Sequence, residues 1–195
     1  MPSITPVNRI LIIANLVIYG CQTLLGDEWF LTWFALWPLG GGADVPSFMP
    51  WQLITYGFLH GSWWHVGFNM WAVYMFGSDV ERVLGAKRYL QLYFFSMFTA
   101  ALTQMAVTTF AGLPPFPTVG ASGAVFGILL AFAMYFPKRM IILIIPPIPL
   151  PARIFVLLYA ALELYLGVTG SQEGVAHFAH LGGLIGALIV LRFWR

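Results

Sequence analysis

Residues 89–136 read YLQLYFFSMFTAALTQMAVTTFAGLPPFPTVGASGAVFGILLAFAMYF and contain no charged side chain. A helix crosses the hydrocarbon core of a bilayer with about 20 apolar residues, so this run is too long for one crossing. The proline cluster at 113–117 interrupts it, because proline lacks the backbone N–H that a helix interior needs. The run therefore predicts two membrane spans, residues 89–110 and 118–136, which we number three and four.

The composition of the whole chain agrees with this interpretation. Hydrophobic residues make up 60% of the 195 residues and charged residues 8%, whereas a soluble domain carries about 25% charged residues. This excludes a soluble globular protein and predicts an all-α membrane protein, because lipid leaves every backbone polar group to be paired within the helix. The single cysteine excludes an internal disulfide, and we expect no nucleic acid as partner and no cofactor.

Four further apolar stretches predict the remaining spans: residues 10–25, 63–84, 152–168 and 175–191, numbered one, two, five and six. We expect the first to be retained as a span rather than cleaved as a signal peptide. The long connection 26–62 combines aromatic residues with glycines and prolines, a pattern typical of a loop that lies in the membrane interface. Residues 1–195 are expected to form a single domain.

The positions of the basic residues predict the orientation. In a six-span arrangement all nine fall on one side, whereas Asp27, Glu28, Asp44 and Glu173 fall on the other. Basic residues favour the cytoplasmic side, so both termini are expected there. The nine are Arg9, Arg82, Lys87, Arg88, Lys138, Arg139, Arg153, Arg192 and Arg195.

Four polar side chains, His65, Asn69, Ser122 and His180, lie close to the outer ends of spans two, four and six. Polar side chains within a membrane are costly and mark working sites. A serine hydroxyl beside an imidazole can act as a nucleophile with a general base. Because no acid is obviously placed to orient His180, the sequence predicts a dyad rather than a triad.

Glycines explain how spans four and six could meet. Gly123 with Gly127, and Gly182 with Gly186, form pairs of small residues that allow helices to pack closely in lipid. Close packing of the two spans would bring the serine within hydrogen-bond distance of the histidine. Phe126 follows the serine by four residues, where its ring can pack on the imidazole.

Three short motifs carry a family resemblance. HVGFN at 65–69, GASG at 120–123 and AHLGG at 179–183, followed by Ala187, occur in this order on spans two, four and six. Together they resemble the HxxxN, GxSG and AHxxGxxxG elements of rhomboid intramembrane serine proteases, with alanine at the final small position. The six-span architecture resembles the minimal bacterial form of this family.

The resemblance implies a role for each matching residue. Ser122 would be the nucleophile, His180 the general base, and His65 with Asn69 would line the oxyanion hole. Rhomboid proteases cleave transmembrane segments of other membrane proteins near their outer ends. The resemblance also implies that the protein lies in a bacterial inner membrane and that its site opens to the outer side. It further implies that substrates arrive beside span five. The residues expected to pack around the site are Gly120, Gly123, Phe126 and Gly183.

Two positions depart from the family pattern. Some members have Trp-Arg in the first loop, where this chain has Trp51-Gln52, so the anchoring of that loop is expected to differ. Some members have tyrosine where this chain has Phe126, which would retain stacking on the histidine but lose a phenolic hydrogen bond.

Other interpretations of these residues remain open. Singly, the serine, the histidine and the His65–Asn69 pair are each explained by helix packing. The four histidines, His60, His65, His177 and His180, all lie towards the outer side and allow a metal or haem protein. A non-catalytic protein that binds transmembrane helices is a third class.

Four further polar residues have expected roles outside the dyad. Glu163 lies within span five and is interpreted as structural, either protonated or hydrogen-bonded to a neighbouring helix, with a role in gating as the alternative. Glu81 and Arg82 are expected to anchor the inner end of span two. His60 is expected to line a path for water to the site.

Overall fold

The computed structural model describes residues 3–39, 45–110, 116–142, 147–170 and 175–194. Several residues used in the sequence analysis lie outside the described residues: Gly40 to Gly42, Asp44, Leu113 to Pro115, Pro146, Glu173 and Arg195. The described part is predominantly helical.

Eight α-helices occur in the described part of the chain. They are α1 (Pro6–Leu25), α2 (Asp27–Phe34), α3 (Gln52–Thr55), α4 (Trp63–Ala72), α5 (Ser78–Phe110), α6 (Ser122–Tyr135), α7 (Ala152–Thr169) and α8 (His177–Phe193). A 3₁₀ turn (Tyr56–Phe58) follows α3, and a π-helical turn (Val73–Gly77) joins α4 to α5. Two strands, β1 (Met140–Ile142) and β2 (Pro149–Pro151), precede α7.

Among the described residues, three helical segments are long and apolar enough to cross a membrane: Pro6–Leu25, the continuous segment Trp63–Phe110, and Ala152–Thr169. Two shorter apolar helices are Ser122–Tyr135 and His177–Phe193. The segment Trp63–Phe110 has 48 residues, more than twice the length of one crossing. It is interrupted at Gly85, whose φ of 76° lies outside the helical region. Glycine adopts this conformation without the steric cost that a Cβ adds.

The helical fold expected from the sequence is accompanied by two short strands that the sequence did not predict. Met140–Ile142 pairs antiparallel with Pro149–Pro151, with Ile141 opposite Leu150. The prolines of β2 have no N–H to offer a ladder, so the pair stays short. The start of α6 also differs from the expected start of span four at residue 118, because Thr118 is extended and pairs with Leu36 through two backbone hydrogen bonds of 2.9 and 3.0 Å.

The centre of the molecule is formed by α5, α6 and α8, where glycines allow the backbones to approach. A Cβ on Gly183 would lie 2.0 Å from the carbonyl oxygen of Gly123, so α8 and α6 touch at this point. The predicted pair Gly182 and Gly186 does not make this contact: a Cβ on either would meet Thr103 or Thr99 of α5. The pair therefore allows close packing as expected, but against α5 rather than α6, because the two glycines lie on a different face of α8 from Gly183.

A buried polar network around Glu81 holds the first turn of α1 against α5. The carboxylate of Glu81 accepts hydrogen bonds from the Thr5 hydroxyl and from the backbone N–H groups of Val7 (3.2 Å) and Asn8 (2.8 Å). It thus caps the first turn of α1, where unpaired N–H groups and the positive end of the helix dipole favour an anion. Glu81 is buried rather than an interfacial anchor as expected, whereas exposed Arg82 pairs with Asp79.

The loop between α1 and α4 is anchored by a neutral amide. Gln52 is fully buried, and its Oε1 accepts from the backbone N–H groups of Trp37 (3.3 Å) and Met49 (3.2 Å). The neighbouring Trp51 donates its indole N–H to the Trp33 carbonyl at 2.8 Å. The glutamine side chain therefore holds the loop through hydrogen bonds to the backbone of the loop, without the charge that an arginine would bring.

Candidate active site

Ser122 is the first residue of α6 and follows a turn that is fixed from two sides. Gly120 has a φ of 122°, which favours glycine, and its N–H donates to the Tyr56 carbonyl at 3.0 Å. The Tyr56 hydroxyl in turn donates to the Met97 carbonyl at 2.8 Å, and burial raises the pKa of this phenol. The loop before α4 and helix α5 together position the serine.

The structure brings Ser122 and His180 together. The distance between Oγ of Ser122 and Nε2 of His180 is 2.8 Å, a normal hydrogen-bond length. The Phe126 ring stacks on the imidazole with centroids 4.5 Å apart and planes 9° from parallel, as the spacing predicted. The stacked ring and the close α6–α8 contact restrict the rotation of the imidazole.

Glu163 of α7 lies on the other side of the same imidazole, contrary to the expectation that no acid orients His180. Its Oε2 is 2.8 Å from Nδ1 of His180 and 2.7 Å from Nδ1 of His177. The expected hydrogen bond between Glu163 and a neighbouring helix is confirmed, since both histidines belong to α8. The sequence held one signal: an acid within a span needs a partner, and two histidines three residues apart share one helix face.

These three side chains also form the group that could hold a metal ion, because their ligand atoms lie within 4.8 Å of one another. The two N···O distances of 2.7 and 2.8 Å are hydrogen-bond lengths. Ligand atoms around a tetrahedral zinc at 2.0–2.1 Å would lie about 3.3 Å apart. The observed spacing therefore fits protons between these atoms better than an ion.

His65 and Asn69 lie one helical turn apart on α4 and face the same cavity as the serine. The backbone N–H of His65 donates to the hydroxyl of Ser62, which caps α4, at 3.1 Å. Nδ1 of His65 accepts from the Gly61 N–H at 3.4 Å, which leaves the proton on Nε2. A Cβ on Gly120 would lie 2.6 Å from this Nε2, so the ring reaches the turn before the serine only because position 120 is glycine.

The cavity at the site has a volume of about 770 Å³ and is lined mainly by apolar side chains. Trp71 and Phe76 bound it on the side of α4 and the π-helical turn, and Phe155 and Tyr159 bound it on the side of α7. The lining also includes residues with polar groups, namely Ser122, His180, His65, Asn69, Tyr56, Tyr159, Thr118 and Trp71. Such a cavity fits an extended apolar chain whose carbonyl meets a few fixed donors.

His60 does not line a water path as expected, because it is fully buried. Its backbone N–H and carbonyl exchange hydrogen bonds of 3.1 and 2.9 Å with the side chain of Gln22 on α1. Its ring lies edge-on to Tyr19 and His65, with centroids 6.0 and 5.0 Å away. Burial, with a smaller effect of His65, lowers the pKa of His60 to about 3, and a contact with the Phe58 carbonyl offsets part of this.

The fold and the site define a helical membrane protein with a serine–histidine pair at one end of its central helices. The Rhomboid domain family matches residues 47–194. The chain belongs to the rhomboid family.

Curated relatives agree with this assignment. The chain is 34% identical over 133 residues to the mitochondrial Rhomboid protein 1 of Saccharomyces cerevisiae, covering 68% of this chain and 38% of the relative. It is 30% identical over 138 residues to Rhomboid protease GluP of Bacillus subtilis, covering 70% and 24%. It is 32% identical over 124 residues to Rhomboid protease GlpG of Salmonella paratyphi A, covering 64% and 41%. The chain thus spans less than half the length of these relatives.

Proposed function

We propose that this protein is an intramembrane serine endopeptidase that cleaves transmembrane segments of other membrane proteins. The observation that carries the proposal is the 2.8 Å contact between Ser122 and His180 at the wall of an apolar cavity. A serine that only packed two helices would need no imidazole nitrogen within hydrogen-bond distance of its hydroxyl. The names of the bacterial relatives, Rhomboid protease GluP and Rhomboid protease GlpG, support the same reaction class.

In the proposed reaction Ser122 attacks the carbonyl carbon of a peptide bond. Its hydroxyl proton passes to Nε2 of His180 as the Oγ–C bond forms, and His180 then gives the proton to the leaving nitrogen. The Nε2–H of His65 and the amide of Asn69, together with the Ser122 N–H, hold the developing oxyanion. Each such donor is typically worth about 2.7–4 kcal/mol of transition-state stabilisation. Water then releases the acyl group from the serine.

We infer six membrane spans with both termini in the cytoplasm. The break at Gly85 divides the long segment Trp63–Phe110 into two lengths suited to single crossings. Asp79 pairs with both Arg82 and Arg139, and Arg88 lies over the Trp194 ring at 5.5 Å. Basic residues from distant parts of the chain therefore gather at one end, away from Ser122, as the positive-inside rule requires of the cytoplasmic side.

Substrates reach the site from the bilayer on the side of α7 in this proposal. The cavity extends between Trp71 and Phe76 on one side and Phe155 and Tyr159 on the other, and its lining suits an apolar helix rather than a soluble peptide. The reactive end of α6 faces away from the basic end of the bundle, so we place cleavage near the outer end of the substrate segment. A bacterial inner membrane fits this orientation.

We also infer that the chain forms a single domain over residues 1–195. Residues 1–46 precede the family match, but α1 is joined to the matched part at both ends. Glu81 caps its first turn, and Gln22 near its last turn pairs with the backbone of His60. The buried positions of these groups support one cooperative unit.

The test is cleavage of a reporter transmembrane substrate in liposomes, paired with labelling by a fluorophosphonate probe. Wild type should cleave and be labelled, whereas Ser122→Ala should do neither. Ser47→Ala, which changes an exposed serine of the first loop, is the matched control and should behave as wild type. Cleavage retained by Ser122→Ala would contradict the assignment. A wild-type protein that binds the substrate without cleaving it or reacting with the probe would favour a helix-binding function.

A further inference from the structure

The buried carboxylate of Glu163 has no part in the dyad mechanism given above, although it contacts the base directly. We propose that Glu163 is a positioning residue that accepts the Nδ1–H of His180, while His177 holds the carboxylate with a second N–H. This inference rests on the proposed serine endopeptidase function and extends the dyad to a relay of serine, histidine and glutamate with a supporting histidine. The four residues come from α6, α7 and α8.

The first argument concerns the position of the proton on His180. A neutral imidazole carries one N–H, and an ionised carboxylate only accepts hydrogen bonds. Because Oε2 of Glu163 lies 2.8 Å from Nδ1, the proton belongs on Nδ1. Nε2 then faces the hydroxyl of Ser122 with its lone pair, which is the tautomer that a general base requires. Without an acceptor at Nδ1, the opposite tautomer would point an N–H at the serine.

The second argument concerns His177, which is buried and lies 2.7 Å from the same oxygen through its Nδ1. Its Nε2 has no hydrogen-bond partner among the described residues. If Nδ1 of His177 is the donor, its unpartnered Nε2 carries only a lone pair. If Nδ1 is the acceptor, Nε2 carries a buried N–H without a partner. Orphaned N–H groups are rare in native structures, and unpaired acceptors less so. His177 therefore donates to Glu163, which holds the carboxylate at a fixed position.

The third argument is electrostatic. An ionised carboxylate in an apolar surrounding is unfavourable unless charged or polar donors compensate it. Two imidazole N–H donors on one oxygen supply this compensation. When the serine proton moves to Nε2, the imidazole becomes positive while Nδ1–H stays donated to Glu163. The negative carboxylate 2.8 Å away stabilises that charge, and the proton leaves again with the amine nitrogen as the C–N bond breaks.

The experiment measures the rate constant of fluorophosphonate labelling, together with kcat and KM on the reporter substrate, for full-length protein in liposomes. Glu163→Gln keeps the size of the side chain but removes its charge. Labelling and kcat should fall by at least tenfold and by up to about 10⁴-fold, as when a buried triad carboxylate becomes an amide. KM should change little, because Glu163 does not touch the substrate. Glu28→Gln, at an exposed glutamate of α2, should behave as wild type.

A purely structural role for Glu163 would give a different experimental result. It would lower the thermal midpoint while the folded fraction reacted with the probe at the wild-type rate, and that result would overturn the proposal. The small probe does not depend on arrival of a transmembrane helix, so a defect in substrate access cannot mimic the expected loss.

Two variants of His177 keep the proposal testable should Glu163→Gln fail to fold. His177→Gln retains an N–H donor and should be labelled close to the wild-type rate, whereas His177→Leu should be labelled several-fold more slowly. Equal wild-type rates for both would contradict the relay. Failure of the proposed function itself is distinguishable, because then wild type and Ser122→Ala would not differ in labelling.

Discussion

Two buried carboxylates sit at opposite ends of the helical bundle and differ in what their hydrogen bonds lead to. Glu81 accepts from the first turn of α1, and its neighbour Asn8 donates to the Val73 carbonyl (3.0 Å) and accepts from the Tyr89 hydroxyl (2.6 Å). Glu163 accepts hydrogen bonds from the imidazoles of His177 and His180, and the other ring nitrogen of His180 contacts the hydroxyl of Ser122. The first network joins backbone groups and side chains that hold α1 in place, whereas the second ends at the Ser122 hydroxyl in a cavity.

The contrast teaches how to separate structural from functional polar groups in an apolar chain. Both carboxylates are similarly buried, at 6% and 4% exposure, so burial alone does not distinguish them. Backbone N–H groups at a helix end always need an acceptor, so a carboxylate there is explained by the fold. The carboxylate of Glu163 instead accepts from side chains, and for His180 its position on Nδ1 fixes the tautomer in which Nε2 faces Ser122.

The largest effect is expected from His180→Ala, which removes the link between the carboxylate and the serine. Labelling and cleavage should fall by at least about 10⁴-fold, because residues acting as one unit lose most of their effect together. The thermal midpoint should fall far less. Leu188→Ala, at an exposed position of the same helix, is the control and should keep wild-type rates. Substantial cleavage by His180→Ala would remove the distinction between the two ends of the bundle.

A smaller loss is expected from Asn69→Ala, because it removes one oxyanion donor and leaves the proton path intact. The value of kcat should fall by about 10²–10³-fold, with labelling still detectable. Trp64→Phe, at an exposed position of α4, should not alter kcat. If Asn69→Ala cleaves at the wild-type rate, Asn69 belongs with the packing residues and not with the oxyanion hole.

The sequence predicted those parts of the site that lie within single motifs. Ser122 and Phe126 are four residues apart on one helix, so their relation follows from helix geometry. The contact of Gly123 with Gly183 could be anticipated only in kind, since the sequence offered three glycines on α8 and no means to tell which face met α6. Face assignment depends on packing of all the helices together.

The hydrogen-bond partners of Glu163 could not be predicted for the same reason. The sequence shows an acid in one span and two histidines in another, but the rotation of α7 against α8 decides whether they touch. The capping role of Glu81 was not predicted because two of its three donors are backbone N–H groups, which cannot be recognised in a sequence. The strands β1 and β2 were missed because a proline cluster indicates a break without indicating what replaces the helix.

Glu81→Gln tests the polar network around Glu81 and should lower the stability of the protein without slowing the reaction. The amide removes the negative charge at the N-terminal end of α1 and offers a poor acceptor to the hydrogen bonds from Thr5, Val7 and Asn8. We expect a loss of about 1–3 kcal/mol in the free energy of unfolding, measured as a lower thermal midpoint in detergent. The folded fraction should react with the probe at the wild-type rate. A fall in that rate with an unchanged midpoint would show that both ends of the bundle serve the reaction.

His60 offers the smallest and most selective test, because its ring lies beside that of His65 yet is fully buried. Its pKa in the folded protein is lowered to about 3, chiefly by burial, while the unfolded chain should show an ordinary value near 6.5. Below pH 6.5 the unfolded state therefore binds a proton that the folded state does not, and stability falls as the pH drops from 6.5 towards 3. This histidine alone should lower the free energy of unfolding by about 2 kcal/mol between pH 7 and pH 5.

The measurement compares thermal midpoints of wild type and His60→Phe at pH 7 and pH 5. Phenylalanine can occupy the space between Tyr19 and His65 without titrating, so the variant should lose less stability on acidification than wild type. Equal losses in both proteins would mean that His60 is protonated in the fold. It would then share the chemistry of the cavity, because a positive ring 5.0 Å from that of His65 would add to the charge facing an oxyanion.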